Sequence, residues 1–445
     1  MINSGKVSVL GRVAFKYGLD DVPPAAELIL FGLQWLAISV PTIVIIGAVV
    51  AGFHFNSYAE QVVYIQKAFF VTALSLLVQL LWGHRLPLII GPAAVLLVGV
   101  VASRGSDLNT VYSSILIGGI VLFVVAATGL FGHLKKLFTP RVVAVILILI
   151  AFTLTPTIAN LILTPVMKAS SLFNLVFSFI FILAMFVSGR YLTGIWKSTI
   201  IIWSILAGSL VYFFFFPEQF GLAGGGGLKL SAPFFSLAGF KLSVDPAVVS
   251  SFLICFLALS INDLGSIQSV GEIIEPDNMQ QRITRGVSFT GLANVLSGFL
   301  GVIGPVNFSM SPGVIMATGC ASRFTLVPAA LGLLVISFFP AAIAFIGAIP
   351  QVVTGSVLVY VMCSQIAAGL TVAFRSAKFE FDDGLVMGLP FMLGIVVSFL
   401  PGNVLGTFPV PLRPLMGNGF VVGVLAVLFL DQFVYRARPG TGNRN

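Results

Sequence analysis

Charge is what this chain has least of. Only 9% of its 445 residues are Asp, Glu, Lys or Arg, against about a quarter in ordinary soluble domains. Polar side chains are then too few to cover a water-soluble globule of this length, so that class is excluded. Cysteine and histidine are equally scarce, with three of each. Cys255, Cys320 and Cys363 lie in apolar segments at unrelated spacings, a pattern of small buried hydrophobes and not of a disulfide or metal framework. His54, His84 and His133 are far apart near the ends of apolar runs, so no metal site and no cofactor is expected. Without an intramembrane cluster of His, Glu and Cys there is nothing to activate a nucleophile, and no stretch is polar enough for a soluble domain. An enzyme and a receptor are both disfavoured. Met1–Pro24 carries charges of both signs and no apolar core of its own; no cleavable signal peptide is expected there, and the first apolar run serves as its own insertion signal.

What the chain has instead is apolar length. Hydrophobic residues make up 58% of it and the mean hydropathy is +1.09, which describes an all-α polytopic membrane protein. A span takes about 20 apolar residues to cross about 30 Å of hydrocarbon, and about fourteen such runs are present. They begin near Leu28, Val63, Leu86, Tyr112, Val142, Ser171, Lys197, Ala247, Thr284, Val306, Thr325, Gln351, Asp383 and Leu412. Most of the 23 Lys and Arg residues fall on the side of the N-terminus in that arrangement. By the positive-inside rule this puts both termini in the cytoplasm and makes the number of spans even. The net charge of +8 then reports topology and attraction to anionic lipid; no nucleic-acid partner is needed to explain it. The expected location is the cell inner membrane or plasma membrane.

One carboxylate stands out. The apolar run Val248–Ile261 ends at Asn262-Asp263, and Leu264, Ile267 and Val270 continue the apolar character beyond it. A carboxylate so deep in a span costs roughly 2.5 kcal/mol or more unless it meets a cavity or a partner, so it marks a substrate or ion site. A second signal is an internal repeat. Leu36-Ala37-Ile38-Ser39 recurs as Leu257-Ala258-Leu259-Ser260, and Ile90-Gly91-Pro92-Ala93 recurs as Ile303-Gly304-Pro305-Val306, at offsets of 221 and 213 residues. Seven spans in each half would run the two halves through the membrane in opposite senses, giving a 7+7 inverted repeat. The expected division is a cytoplasmic N-terminus 1–24, a first repeat 25–220, an extracellular linker 221–245 containing Gly224–Gly227, a second repeat 246–434 and a cytoplasmic tail 435–445. Proline lacks an N–H and glycine loosens the backbone, so each Gly-Pro predicts a short extended break, in the third and tenth spans, before half-helices near Ala94 and Pro312. The mixed-charge segment Arg375–Asp383 reads as a solvated loop.

From the second break the chain reads Phe308-Ser309-Met310-Ser311-Pro312-Gly313, then Thr318-Gly319 and Ala321-Ser322-Arg323. This resembles the signature of the nucleobase/ascorbate transporters, the family of uracil and xanthine permeases, in which Gln, Glu or Pro precedes Asn, any residue, Gly, four residues, Thr and Arg, Lys or Gly. Arg282-Ile283-Thr284-Arg285-Gly286, Gly291–Gly298, Leu33-Gln34 and Arg85-Leu86-Pro87 are similar to further family segments. Departures are equally specific. Met310 and Ser311 stand where the family has its Gln or Glu and Asn, and Trp35 follows Gln34 where a His is usual. Aligned on Gly265, Asn262 and Ser266 occupy the eighth-span places of the family's Glu and of its His or Asp, while the carboxylate sits one residue along, at Asp263. One residue turns a helical side chain by about 100°.

The resemblance implies a core domain of about spans 1–4 and 8–11 and a gate domain of about spans 5–7 and 12–14, often dimeric through the gate. Substrate would sit between the third and tenth spans, facing the eighth. The implied function is proton-coupled uptake of a uracil-, xanthine- or urate-like base by alternating access. Sulfate and bicarbonate transporters share this architecture, so a small anion, or ascorbate, is the alternative substrate. The candidate substrate-binding residues are Asn262, Asp263, Ser266, Phe308, Ser309, Met310, Ser311, Gln34 and Ala93. Asn262 offers an amide to the ring, Ser309 and Ser311 would meet ring oxygens, and Phe308 or Trp35 would stack on it. Asp263 is the candidate for proton coupling, because burial favours the neutral form of a carboxyl group.

Overall fold

The computed structural model describes residues 15–103, 105–129, 139–164, 169–193, 196, 200–218, 241–308, 311–347, 349–374, 379–401, 404, 407–409 and 416–435. Ser309, Met310, the glycine run 224–227 and the tail 436–445 lie outside them. The described residues are mostly helical, as hydrocarbon demands, since a helix satisfies its own backbone polar groups. The first part holds α1 (Ala25–His54), α2 (Tyr58–Leu81), β1 (Ile90–Pro92), α3 (Ala94–Ala102), α4 (Leu108–Ala127), α5 (Pro140–Thr153), α6 (Thr155–Leu163), α7 (Ser171–Tyr191) and α8 (Ile200–Phe215). The second holds α9 (Pro246–Ile274), α10 (Met279–Leu300), β2 (Pro305–Asn307), α11 (Ser311–Thr318), α12 (Leu326–Ser337), α13 (Pro340–Gly347), α14 (Gln351–Ala373), α15 (Phe381–Ser398) and α16 (Gly419–Phe429).

Polar residues within the apolar chain mark where helices start. Asp107, Thr139, Ser170, Asp245 and Asn418 each accept a hydrogen bond from a backbone N–H in the first turn of α4, α5, α7, α9 and α16, and Pro140 and Pro246 open two of these helices. Among the described residues eight helices are long and apolar enough to cross a membrane, and three shorter apolar ones accompany them. The nine residues of α3 and eight of α11 reach only about 13 and 12 Å at 1.5 Å per residue. They are half-helices; α3 starts one residue after a short extended break, and α11 follows a second one that ends at Asn307.

The two breaks pair with each other. β1 and β2 run antiparallel with Ile90 opposite Asn307, Gly91 opposite Val306 and Pro92 opposite Pro305, so the repeated Gly-Pro motifs meet. Packing around them is reciprocal: α4 lies on α9 and α10, while α12 lies on α1 and α2. The approach of α4 to α10 needs glycine, because a Cβ on Gly291 would stand 2.6 Å from the Phe123 nitrogen and 2.9 Å from the Gly119 carbonyl. A second group of helices packs separately, with α5 against α14, α15 and α16, and α6 and α7 against α14. In α7 only 17% of the most apolar window is buried inside the protein; a face that apolar belongs against lipid.

Two polar features lie beyond the central region. Residues ahead of α1 lie along the exit of α11, where the Lys16 N–H donates to the Gly319 carbonyl, Ala321 N–H to Tyr17 and Arg323 N–H to Leu19. Asp383 departs from the sequence expectation. It is not in a solvated loop but buried in the first turn of α15, where with Glu380 it forms a capping box and meets Arg141 Nε at 2.5 Å. Its run of charges looked like loop because the partner Arg141 is more than two hundred residues away.

Candidate functional site

Unwound backbone at membrane depth exposes polar groups that must be satisfied. At the second break side chains supply most of the partners. The Ile303 N–H donates to the Tyr64 hydroxyl at 2.9 Å, and the Asn294 amide donates to the Pro305 carbonyl at 2.9 Å. The Asn307 carbonyl accepts from Ser266 Oγ at 2.9 Å. Its N–H donates to Asp263 Oδ1 at 3.1 Å, and its side-chain amide donates to the same oxygen at 2.6 Å. At the first break the Ala93 N–H donates to the Gly304 carbonyl, and Ile89 uses its carbonyl to accept from Phe308 N–H and its own N–H to reach Ser311 Oγ at 3.0 Å.

Behind β2 the network continues. Asn307 Oδ1 lies 3.1 Å from His84 Nε2, and His84 Nδ1 accepts from the Leu86 N–H at 2.9 Å. That second bond fixes the tautomer: Nε2 carries the hydrogen and donates to Asn307. Gln79 accepts from the His84 N–H and donates to Thr290 Oγ1 at 3.1 Å and to the Gly286 carbonyl. Arg282 caps the carbonyls of His84 and Arg85 at 3.1 and 3.0 Å. Asp263 is fully buried, and its Oδ2 has no hydrogen-bond partner at bonding geometry among the described residues.

In front of β2 lies a cavity of about 280 Å³ between the two packing groups. One wall comes from α1, α3, α9 and β2 with Thr42, Ala94, Asn262, Val306 and Phe308; the other comes from α5 and α14 with Ile150, Leu358, Met362, Ser364 and Gln365. Among the described residues the lining is apolar except for Thr42, Asn262, Ser364 and Gln365, and none of it is charged. Two amides, from α9 and α14, therefore face a small slot flanked by an aromatic ring. The ring is held by geometry: a Cβ on Gly91 would stand 2.6 Å from Phe308, so glycine is required beneath it.

Of the residues singled out from sequence, Asn262 and Phe308 line the cavity. Asp263 and Ser266 stand behind the wall, both bonded to Asn307. Ser311 ties the two breaks together, accepting from Ile89 and donating to the Phe308 carbonyl at 3.2 Å. Ala93 is buried, and its neighbour Ala94 reaches the cavity. Gln34 is buried in α1 with no partner for its amide nitrogen among the described residues, and Trp35 donates to Thr325 Oγ1 at 3.1 Å. Ser309 and Met310 lie outside the described residues. Sequence reasoning missed Asn307, His84 and Gln365. His84 was set aside because it could not assemble a metal site, and nothing in its own segment points 223 residues ahead to its partner.

A family model described as the Permease family, covering xanthine and uracil permeases, matches residues 26–403. The chain belongs to that family. The uric acid permease PucJ of Bacillus subtilis is 25% identical to it over 79% of each chain. The xanthine permease of the same organism is 25% identical, covering 84% of this chain and 86% of its own. Among solved structures, the transmembrane domain of the cyanobacterial bicarbonate transporter BicA matches with a TM-score of 0.60 at 15% identity, over 86% of this chain and 98% of that one. That likeness is one of fold alone. The protein is thus a multi-pass membrane transporter and not an enzyme.

Proposed function

We propose that this permease takes up a purine or pyrimidine base, of the uracil, xanthine or urate kind, together with a proton, by alternating access. The single observation that carries the reading is the cavity between the breaks and α14: it is small, aromatic on one side, and polar only through amides and hydroxyls. Neutral heterocycles carry donors and acceptors that amides match in pairs, and no described hydrogen bond engages the Asn262 or Gln365 amide. Asn262, Thr42, Ser364 and Gln365 then bind the ring, and Phe308 stacks against it. Asp263 takes the coupling proton from behind the wall. Ser266 and Ser311 keep the breaks in shape, Ala93 supports the first half-helix and Gln34 is an outer partner; Ser309 and Met310, outside the described residues, are the remaining candidate contacts.

The wider frame is about fourteen spans in a 7+7 inverted repeat, 25–220 and 246–434, joined by an extracellular linker at 221–245. Both termini, 1–24 and 435–445, are cytoplasmic in an inner or plasma membrane. α1–α4 and α9–α13 form the core and α5–α8 and α14–α16 the gate, through which two copies pair. Reciprocal packing of α4 on α9 and of α12 on α1 supports the two-fold relation. A small anion or ascorbate is the alternative, since facing half-helix N-termini also suit negative charge. Thermal stabilisation of the purified protein by uracil, xanthine, urate, adenine, guanine, ascorbate, sulfate and bicarbonate tests the choice, because a ligand of the folded state raises apparent stability. A shift with a base that is lost in Asn262→Ala and reduced in Gln365→Ala is expected; a shift with an anion alone overturns the reading.

A further inference from the structure

We propose that Asn307 is the positioning residue that passes the protonation state of Asp263 to the wall of the substrate cavity. This rests on the base-permease reading above. Asp263 touches no part of the cavity, so a proton arriving on it needs a carrier to be felt by the substrate. Asn307 is bonded on all sides for that role. Its N–H and its amide both donate to Asp263 Oδ1, its carbonyl accepts from Ser266, and its Oδ1 accepts from His84. The next residue is Phe308, whose N–H is held by the Ile89 carbonyl and whose ring forms part of the cavity wall.

The bond set has a defined response to a proton. With Asp263 ionised, two N–H groups of one residue bind one charged oxygen, and charge-assisted bonds are roughly twice as strong as neutral ones. The proton is taken up on Oδ2, the oxygen with no partner at bonding geometry among the described residues. Asn307 cannot turn its amide over in compensation, because His84 offers only a donor on that side and the Leu86 N–H holds the imidazole in that tautomer. Neutralisation therefore weakens the hold on the end of β2, and Phe308 moves with it. The titratable or charged groups facing the pair are His84, from the turn after α2 and reached through Asn307, and Arg282 of α10, which holds the His84 carbonyl. Thr290 of α10 and Ser266 of α9 are uncharged.

The test uses the full chain in proteoliposomes with radiolabelled xanthine and uracil, comparing wild type, Asp263→Asn, Asn307→Ala and Asn307→Ser. Two quantities are read: accumulation driven by an inward proton gradient, and counterflow exchange without one. Asn307→Ala is expected to keep counterflow near the wild-type rate while accumulation falls by about tenfold or more, the loss of a charged hydrogen bond. Its pH profile should flatten as in Asp263→Asn. Asn307→Ser, with a shorter donor, should fall between, and it replaces the alanine variant if that one does not reconstitute. Accumulation and pH profile unchanged in both Asn307 variants overturn the proposal. So does loss of counterflow in parallel with accumulation, which would make Asn307 a structural part of the site. If wild type transports a base with no pH dependence, proton coupling falls and takes the inference with it. If wild type neither binds nor carries any base, the functional reading itself is what has failed.

Discussion

The two breaks share a backbone and differ in chemistry. Each begins with the same Ile-Gly-Pro motif, each leads into a half-helix, and they pair residue for residue. Yet the first is apolar: α3 reads Ala-Val-Leu-Leu-Val-Gly-Val-Val-Ala, and α1 offers it Thr42, whose hydroxyl turns back to the Ser39 carbonyl at 2.7 Å. Counting from the repeated serines, Ser39 and Ser260, the place of Thr42 in the first half is that of Asp263 in the second. The second break is gripped by Asp263, Ser266, Thr290, Asn294 and, from outside its half, His84 and Tyr64. The same backbone geometry occurs twice, and among the described residues a buried carboxylate, Asp263, meets only the second break. The neutral copy then serves as the internal reference for the charged one.

The sharpest way to break this comparison is to exchange the matched positions. Asp263→Ala strands two buried donors of Asn307, at about 1–3 kcal/mol each, and should abolish uptake with a large loss of thermal stability in detergent. Thr42→Val at the equivalent place should cost about 1 kcal/mol or less in the same assay. Next in size, Gly91→Ala forces the Phe308 ring from its seat; overpacking of this kind costs about 1–3 kcal/mol, and binding of base by calorimetry should be lost before the fold is. Asn294→Leu removes the donor to the Pro305 carbonyl and should lower stability by about 1–3 kcal/mol, with the first break unaffected by solvent-exchange mapping of its amides. The smallest effect belongs to the opposite wall. Gln365→Ala loses one neutral hydrogen bond to the ring, about 0.5–1.5 kcal/mol, and should raise KM by about tenfold or less while leaving the pH profile alone.

Much of the frame was legible in the chain. Scarcity of charge and abundance of apolar length gave the class, and the Gly-Pro pairs gave the breaks and the start of each half-helix to within a residue. The signature around Gly313 and Thr318 gave the family. Other features were hidden for physical reasons. Pairing of β1 with β2 joins segments more than two hundred residues apart and leaves no local periodicity. Asn307 is an ordinary polar residue until Asp263 and His84 are folded onto it. The rotation of about 100° between Asn262 and Asp263 was visible in sequence, but its meaning was not: it sends the amide to the cavity and the carboxylate behind the wall. Gln365 sits on α14, in a part of the chain where the family signature is silent.

The most direct measurement is the number of protons taken up when a base binds to the detergent-purified protein, read by calorimetry in buffers of different ionisation enthalpy, for wild type and Asp263→Asn. The account predicts uptake near one proton in wild type and near zero in Asp263→Asn, with binding retained because the amide oxygen still accepts from Asn307. Equal proton uptake in the two proteins would contradict it and place the titrating group elsewhere.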